Sequence, residues 1–328
     1  MKKIISLLLF ISLLLSSVIS CTFPSTSPED YGTKINIGVM SGPTGMGMAK
    51  LMSDYKDKQT NYAFEIYSDP QVAMPDLINK ELDMLCLPTN AAANLYNKNK
   101  GIISVIAVNT LGSLYLLTDS TTTINSIKDL EGKTIYTSVA SSTTMPILNT
   151  ILSKNNVNAT IEVEDSHDAL VARIVKNEVS IAVLPEPKVS AALKQNNTYS
   201  VDLNISNEWD KVCPSSLTMG CIVVRNEFLN AHEGAVIRFL NDYKASIEFI
   251  SNPENLDTAA QMIVDGSVLP ALPIAKSALS NLSGSIVFID GEQMKSALLD
   301  FYAVLLDSMP QSIGNSLPDD SFYYVQKK

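Results

Sequence analysis

Short stretches in which apolar and polar residues alternate are separated by longer stretches with helical spacing. Residues 35–40, Ile-Asn-Ile-Gly-Val-Met, alternate as a half-buried strand does. A break at 41–45 then precedes a helix predicted over 46–55. The next elements along the chain are a strand at 64–67, a helix at 74–80 and a strand at 84–87 that ends at Pro88. Such a β-α-β-α order predicts a largely parallel sheet covered by helices.

The same order recurs later in the chain. The elements predicted in this second unit are strands at 134–137, 160–163 and 180–184 and helices at 145–154 and 169–176. Residues of the two units match at a constant offset of 97 positions, so that Ser41 corresponds to Ser138 and Pro88 to Pro185. Two similar three-layer α/β lobes are therefore expected.

Two extended apolar stretches, 107–118 and 217–225, join the two units. From Glu227 onward the chain is mostly helical, and these helices are expected to return to the first lobe. The predicted hinge therefore has two segments. We expect a signal peptide at 1–20, a flexible tether at 21–32, a first lobe from 33–111 and 221–328, and a second lobe from 112–220.

The N-terminus has the parts of a secretory signal. Lys2 and Lys3 precede an apolar run of 16 residues, Ile4 to Ile19, and then Ser20 and Cys21. This run is shorter than the roughly 20 residues that a helix needs to cross a bilayer. Val-Ile-Ser-Cys at 18–21 resembles a bacterial lipobox, which implies acylation of Cys21; the alternative is an ordinary signal with a chance cysteine. The Ser-, Thr- and Pro-rich residues that follow suit a tether.

Charge and rare residues narrow the classes of function. Without the signal, 22 basic residues face 34 acidic ones, which argues against nucleic acid or anionic lipid as a partner. The chain has two histidines and no Cys-x-x-Cys pair, so no metal or cofactor is expected. Cys86 is predicted to be a buried thiol, whereas Cys213 and Cys221 could form a bridge if the chain doubled back.

Ligands of open α/β sheets bind beyond the carboxyl ends of strands, near helix N-termini. The first such loop is Gly-rich, which lets the backbone approach a ligand, and its counterpart in the second unit is rich in hydroxyl groups. Capping a helix needs only one or two of those hydroxyl groups. The candidates in these two loops are Ser41, Gly42, Pro43, Thr44, Gly45 and Met46, and Ser138, Ser141, Ser142 and Thr143.

Two further strand ends and the crossings add candidates. Thr89 and Asn90 either cap the next helix or contact a ligand. Glu186, between two prolines, either accepts from an amine or amide of a ligand or interacts with a helix N-terminus of its own lobe. The candidates in the crossings are Asn109, Thr110, Thr218 and Met219, with Tyr115 and Met219 also suited to ordinary packing. Trp209 is expected at the cleft rim or as simple cover.

Nothing in the sequence supports nucleophilic catalysis. There is no Gly-x-Ser-x-Gly elbow, and neither histidine adjoins a candidate nucleophile in a known motif. His167 lies in an acidic loop and is expected at the surface, and His232 lies among polar residues at a helix start.

Several motifs together resemble the solute-binding lipoproteins of ABC importers, in particular the nitrate, sulfonate, taurine and pyrimidine-precursor class. They are the lipobox, Gly-Pro-Thr-Gly-Met-Gly-Met at 42–48, Leu-Pro-Thr-Asn at 87–90, Asn-Thr-Leu-Gly at 109–112, Leu-Pro-Glu-Pro at 184–187, Met-Gly-Cys at 219–221 and the closing segment 318–324. The similarity extends over essentially the whole mature chain.

The resemblance implies the type II periplasmic-binding-protein fold. It also implies a lipid-anchored monomer on the extracytoplasmic face of the cell membrane, which closes on a small solute and delivers it to a permease driven by an ATPase. Members that bind sulfonate or nitrate often present a basic residue to the anion. The loops here contain none, which favours a neutral or zwitterionic heterocycle or amino compound. The alternatives are an enzyme of the same fold that acts on a cofactor precursor, which export and the scarcity of His oppose, and a sensory domain for a membrane receptor.

Overall fold

The structure, a computed structural model, describes residues 32–56, 61–138 and 142–326. The predicted signal peptide, Cys21, nearly all of the predicted tether and Ser141 lie outside the described residues. In the described part of the chain, no helix is both long enough and apolar enough to span a membrane.

The strands of this part of the chain form two sheets. Their bounds are β1 Ile35–Met40, β2 Tyr62–Tyr67, β3 Met84–Pro88, β4 Ile103–Leu111, β5 Leu114–Asp119, β6 Thr134–Ser138, β7 Thr160–Glu164, β8 Ile181–Pro185, β9 Tyr199–Asn204, β10 Thr218–Arg225 and β11 Ile286–Ile289. The first sheet has six strands in the order β11-β4-β10-β3-β1-β2, and the second has five in the order β7-β6-β8-β5-β9. We call the units built on them the first and the second lobe.

Helices cover both sheets. Their bounds are α1 Pro43–Met46, α2 Ala49–Tyr55, α3 Pro70–Ile78, α4 Thr89–Lys98, α5 Thr144–Lys154, α6 His167–Val175, α7 Lys188–Gln195, α8 Ile205–Val212, α9 Asn226–Ala231, α10 Glu233–Ser251, α11 Leu256–Asp265, α12 Leu272–Asn281 and α13 Gly291–Ser308. Short 3₁₀ turns lie at Ile127–Leu130, Pro253–Asn255, Pro310–Ile313 and Asp320–Phe322.

Both sheets are mixed, which corrects the prediction of a largely parallel sheet. β1 pairs in parallel with β2 and β3, and β6 with β7 and β8, as the β-α-β order requires. The strands that cross between the lobes run the other way: β10 is antiparallel to β3 and β4, and β5 is antiparallel to β8 and β9. Each of these two crossing strands enters its sheet from the end opposite to its neighbours, and it therefore pairs with them in the antiparallel direction.

Equivalent helices of the two units, α3 and α6, end in the same backbone conformation. α3 and α6 are each followed by a residue with positive φ, Lys80 at 69° and Asn177 at 58°, which are 97 positions apart. The next amide closes the same turn in both units, with Glu81 N donating to Asp76 O and Glu178 N donating to Arg173 O. The offset seen in the sequence therefore corresponds to equivalent backbone in the two lobes.

The first crossing is two strands rather than one extended stretch. β4 ends at Leu111 in the first sheet and β5 begins at Leu114 in the second, with Gly112 between them. A Cβ at Gly112 would overlap Ser206 and lie 3.1 Å from Leu217 Cδ2, so the backbone passes here only as glycine. Because β10 pairs with the end of β4 through Thr218 and Leu111, both crossings lie side by side.

Two element boundaries differ from the predictions for local reasons. α3 begins at Pro70, four residues before the predicted start, because the Asp69 side chain caps the Gln71 amide and Pro70 takes the first helical position. The helix predicted over 46–55 is divided into α1 and α2 at Gly47–Met48. The strands β9 and β11 and the helices α7 and α8 were not predicted.

The C-terminal helices contact both lobes, whereas the sequence indicated packing on the first alone. α10 and α11 pack on α2 of the first lobe. α12 contacts both α11 and α7, and α13 contacts β4 and β10 as well as α5. The lobe boundaries given above therefore stay a prediction.

Trp209 on α8 is fully buried, which corrects its expected place at the cleft rim or as cover. Its Nε1 donates to Ser215 O at 2.8 Å, and its ring centroid lies 5.5 Å from that of Phe301 on α13. It thus belongs to the hydrophobic core between the second lobe and α13. Cys86, Cys213 and Cys221 are free and buried, so the bridge that the sequence left open is not formed.

Candidate functional site

A cavity of about 110 Å³ lies between the carboxyl ends of the strands of the two lobes. Its lining comes from both lobes and from the crossings. The lining residues are Met40, Ser41, Pro43, Thr44, Ser68, Pro70, Pro88, Thr110, Ser113, Ser142, Thr143, Thr144, His167, Pro185 and Met219. This position is the one that open α/β sheets give to their ligands.

The wall of the first lobe is the turn from β1 into α1. Gly42 has a φ of 99° and precedes Pro43 at the first helical position, which turns the chain sharply toward the cavity. Ser41, Pro43 and Thr44 reach the cavity, whereas Gly45 and Met46 are buried behind them. A Cβ at Gly45 would overlap the carbonyl oxygen of Met40, so this position supports the turn rather than a ligand.

The floor is polar and closely packed around Gly220. A Cβ there would lie 2.6 Å from Asn109 Oδ1, 2.8 Å from Thr44 Oγ1 and 3.0 Å from Thr110 Oγ1. Asn109 Nδ2 donates to Thr44 O at 2.9 Å, and Thr110 Oγ1 donates to Asn109 Oδ1 at 3.1 Å. Asn109 therefore positions the two threonines, which line the cavity.

The second lobe supplies hydroxyl groups and an imidazole. Ser142, Thr143 and Thr144 line the cavity at the start of α5. Ser138, at the end of β6, is fully buried, and its Oγ lies 2.6 Å from His167 Nδ1. The sequence placed His167 at the surface, but its ring is half-buried and faces the cavity from the first position of α6.

The remaining strand-end candidates hold the framework together. Thr89 Oγ1 donates to Thr218 O at 2.7 Å, which joins α4 to β10. Asn90 Nδ2 donates across the cleft to Ser142 O at 3.4 Å. Both side chains are buried and lie next to the cavity rather than among its lining residues.

Glu186 is almost fully buried and bonded within the protein. Ser190 donates to it with its backbone N at 3.2 Å and its Oγ at 3.0 Å, and Asn281 Nδ2 donates at 2.7 Å. Tyr115 OH also donates to Asn281 O, at 3.1 Å, and the Oγ atoms of Ser190 and Ser277 lie 2.9 Å apart. We call Glu186, Ser190, Ser277 and Asn281 the cross-lobe latch, because it joins α7 of the second lobe to α12.

The described residues that line the cavity carry no formal charge near neutral pH. Among the described residues, no Lys, Arg, Asp or Glu side chain lines it. Burial, with a further contribution from the nearby Lys188 ammonium, lowers the pKa of His167 to about 4, so its imidazole is neutral. The cavity can thus offer hydroxyl groups, one neutral imidazole and the apolar surfaces of proline and methionine.

The structure brings seven of the predicted site residues together around this cavity. They are Ser41, Pro43, Thr44, Thr110, Ser142, Thr143 and Met219. The lining residues that were not among the candidates are Met40, Ser68, Pro70, Pro88, Ser113, Thr144, His167 and Pro185. His167 corresponds to Pro70 at the offset of 97, and both follow a capping residue at a helix start. Because Pro70 was not a candidate either, the offset alone gave no signal for His167.

A resident metal has no obvious ligands here. Within the described ranges, no group of three or more His, Cys, Asp or Glu side chains could hold a metal ion. Burial raises the pKa of the Cys86 thiol to about 12, so this thiol is not a ready metal ligand or nucleophile.

Two α/β lobes joined by two crossings around a polar cleft define the periplasmic-binding-protein fold. The chain belongs to the NMT1/THI5-like family, whose model matches residues 63–256. A comparison with curated protein sequences finds no match.

Solved structures share the whole fold at low sequence identity. An ABC transporter structure from Parabacteroides distasonis is 19% identical, with a TM-score of 0.74 over 90% of this chain and 100% of that one. The zinc-bound ligand-binding component of an ABC-type import system from Staphylococcus aureus is 15% identical, with a TM-score of 0.71 over 89% and 97%. The periplasmic aliphatic sulphonate-binding protein SsuA of Escherichia coli is 14% identical, with a TM-score of 0.69 over 87% and 95%.

Proposed function

We propose that this protein is the extracytoplasmic solute-binding component of an ABC importer. It captures a small polar solute between its lobes and delivers the solute to a membrane permease. The observation that carries the proposal is the cavity itself, which both lobes line at the carboxyl ends of their strands. The family and the three structural neighbours support the same role.

The chemistry of the cavity supports a neutral or zwitterionic solute. A strong anion would have to leave water for a site whose described lining offers hydroxyl groups and a neutral imidazole but no Lys or Arg side chain. The neighbour from Escherichia coli binds sulphonates, and a sulphonate here would lack a charged partner. At about 110 Å³ the cavity is below the roughly 300–1,000 Å³ of drug-sized sites, which supports a small heterocycle or amino compound.

Binding rather than catalysis is the role that the side chains support. The Ser138 hydroxyl beside His167 is fully buried, so a Ser–His pair that could attack a substrate is not presented to the cavity. Differential affinity for the closed state is sufficient for closure on a solute.

Native mass spectrometry of freshly purified protein tests the proposal, and the expected result is a bound small molecule. Thermal shift then compares cytosine, nicotinamide and glycine betaine with taurine and methanesulfonate. We expect members of the first group to raise the melting temperature. This shift should be abolished in a Thr44→Val, Ser142→Ala double variant. It should be kept in the control Thr258→Val, whose exposed side chain lies on α11. Shifts with the sulfonates alone would overturn the solute class. No bound molecule and no shift with any compound would overturn the function.

The anchor is part of the same proposal. Cys21 is proposed to carry a lipid that holds the protein beside its permease, and the strongly acidic mature chain would not adhere to anionic headgroups by charge. Wild-type protein is expected in the membrane fraction after a carbonate wash, whereas Cys21→Ala is expected in the soluble fraction. A wild-type N-terminal peptide without a lipid mass would contradict the anchor.

A further inference from the structure

The imidazole of His167 and the hydroxyl of Ser138 form a pair that the proposed function does not yet use. His167 is the one ionisable side chain among the described residues that line the cavity. Its Nδ1 is bonded to Ser138, at 2.6 Å, which leaves Nε2 as the ring nitrogen for a solute. Because Ser138 is fully buried at the end of β6, the ring is held from behind by a rigid element.

The surroundings of the ring keep it uncharged. Asp168, next to it on α6, would favour a charged ring, but its carboxylate is paired with Lys188 at the start of α7, which disfavours one. Burial is the main cause of the lowered pKa of His167, and Lys188 acts in the same direction. A neutral imidazole with one nitrogen engaged offers a single directed hydrogen bond through the other.

The equivalent position in the first lobe is Pro70, which also lines the cavity but cannot donate a hydrogen bond. The repeat therefore places an apolar ring on one wall and a polar ring on the facing wall. A flat solute with one hydrogen-bonding edge would meet both walls.

We propose that His167 is the specificity-determining residue of the cleft, held by Ser138 as a positioning residue so that its Nε2 hydrogen-bonds an uncharged polar group of the solute. The inference rests on the proposed function and names its substrate class: small neutral compounds with an amide, amino or hydroxyl edge, in preference to carboxylates and sulfonates. An imidazole in this state supplies no charge to an anion, and the hydroxyl groups around it supply none either.

Imidazole NMR tests the positioning without any ligand. The chain has two histidines, so His232→Asn leaves His167 as the source of the only imidazole signals. We expect one neutral tautomer of His167 at pH 6.5 and a mixture of tautomers in Ser138→Ala. A ring that is charged at this pH, or that shows the same mixture of tautomers with Ser138 present as in Ser138→Ala, overturns the role of Ser138.

Matched probes test specificity. Nicotinamide is compared with nicotinate, and methanesulfonamide with methanesulfonate, by calorimetry on the full mature chain. The neutral member of each pair is expected to bind the wild type about tenfold more tightly than its anion does. In His167→Asn, the affinity for the neutral member is expected to fall about tenfold. His167→Lys is expected to gain affinity for the anions, since it places a cation in the cavity.

Three results would contradict the role proposed for His167. An anion preference in the wild type, an unchanged preference in His167→Asn, or no gain of anion affinity in His167→Lys overturns the proposal. These results leave the proposed function standing when native mass spectrometry finds a bound solute. If no solute is found and no probe binds the wild type, the proposed function fails, whatever the NMR signals show.

Discussion

The first lobe meets the cleft with apolar and hydroxyl side chains, whereas the second meets it mainly with polar ones. Those of the first lobe are Met40, Ser41, Pro43, Thr44, Ser68, Pro70 and Pro88, and those of the second are Ser142, Thr143, Thr144, His167 and Pro185. The backbones behind these side chains are equivalent: α3 and α6 end in the same turn, 97 positions apart. The repeat has therefore kept its helix ends and strand ends while the residues at its helix starts diverged. The wall of the first lobe mixes apolar surface with hydroxyl groups, and the wall of the second lobe is mainly hydrogen-bonding groups.

The largest expected effect is a loss of stability at the turn from β1 into α1, where the first lobe requires glycine. Gly45→Ala places a Cβ against the Met40 carbonyl, so the turn into α1 must distort, and we expect a loss of about 3 kcal/mol or more in the free energy of unfolding. The matched control is Ser142→Ala at the equivalent position, where a Cβ already exists and only two long hydrogen bonds are lost, from the Thr144 amide at 3.3 Å and to Ser138 O at 3.4 Å. Urea denaturation measures both. Equal losses would contradict a difference between the two turns.

The second prediction concerns the polar wall and pH. The pKa of His167 is about 4 in the folded protein, against 6.5 ordinarily, so the unfolded chain takes up the proton first as the pH falls. Stability from the neutral ring is present above pH 6.5 and is lost as the pH falls toward 4, by about 2 kcal/mol. His167→Asn should remove this part of the pH dependence, and His232→Asn should retain it. Denaturation at pH 7, 5.5 and 4 compares the three proteins, and parallel curves would refute the shift.

The third prediction concerns what joins the second lobe to α12. Asn281→Ala removes a donor from the buried carboxylate of Glu186 in the cross-lobe latch. A lost hydrogen bond to a charged group costs about 2 kcal/mol, so α7 and α12 should separate more readily. Small-angle scattering should show a larger radius of gyration for the variant without solute. An unchanged radius would mean that the latch does not hold the lobes.

The smallest expected effect is that of removing an exposed ion pair, which serves as the comparison for the cross-lobe latch. Lys154 and Asp307 join α5 to α13 at 4.0 Å, and both side chains are largely exposed. Such pairs contribute about 0.5 kcal/mol or less. Lys154→Ala should therefore leave the radius of gyration and the melting temperature nearly unchanged. An effect as large as that of Asn281→Ala would show that the two lobe contacts do not differ in strength.

Local patterns were sufficient for much of the fold. Alternation predicted the bounds of β1, and the offset of 97 predicted two matching lobes. The pattern could not give the pairing of β10 between β3 and β4, because pairing partners far apart in the chain leave no mark on hydrophobic spacing. It also missed β11, whose four residues are too few for alternation to stand out from a helix.

Local patterns also predicted part of the candidate site. Strand-end loops gave Ser41, Thr44 and Ser142, because the geometry of open sheets fixes where such loops meet. His167 was missed because the acidic residues around it suggest a solvated loop, and only the fold shows that its ring turns inward. Glu186 was predicted without its partner Asn281, which comes from a helix 95 positions later.

The strand order of the first sheet has a consequence for biosynthesis. β10, which ends at Arg225, is inserted between β3 and β4, whereas β5 to β9 of the second sheet all lie between Leu114 and Asn204. A chain that emerges from its N-terminus therefore completes the second sheet before the first. Until residue 225 follows, β3 and β4 present unpaired apolar edges, which are the kind of surface that chaperones shield.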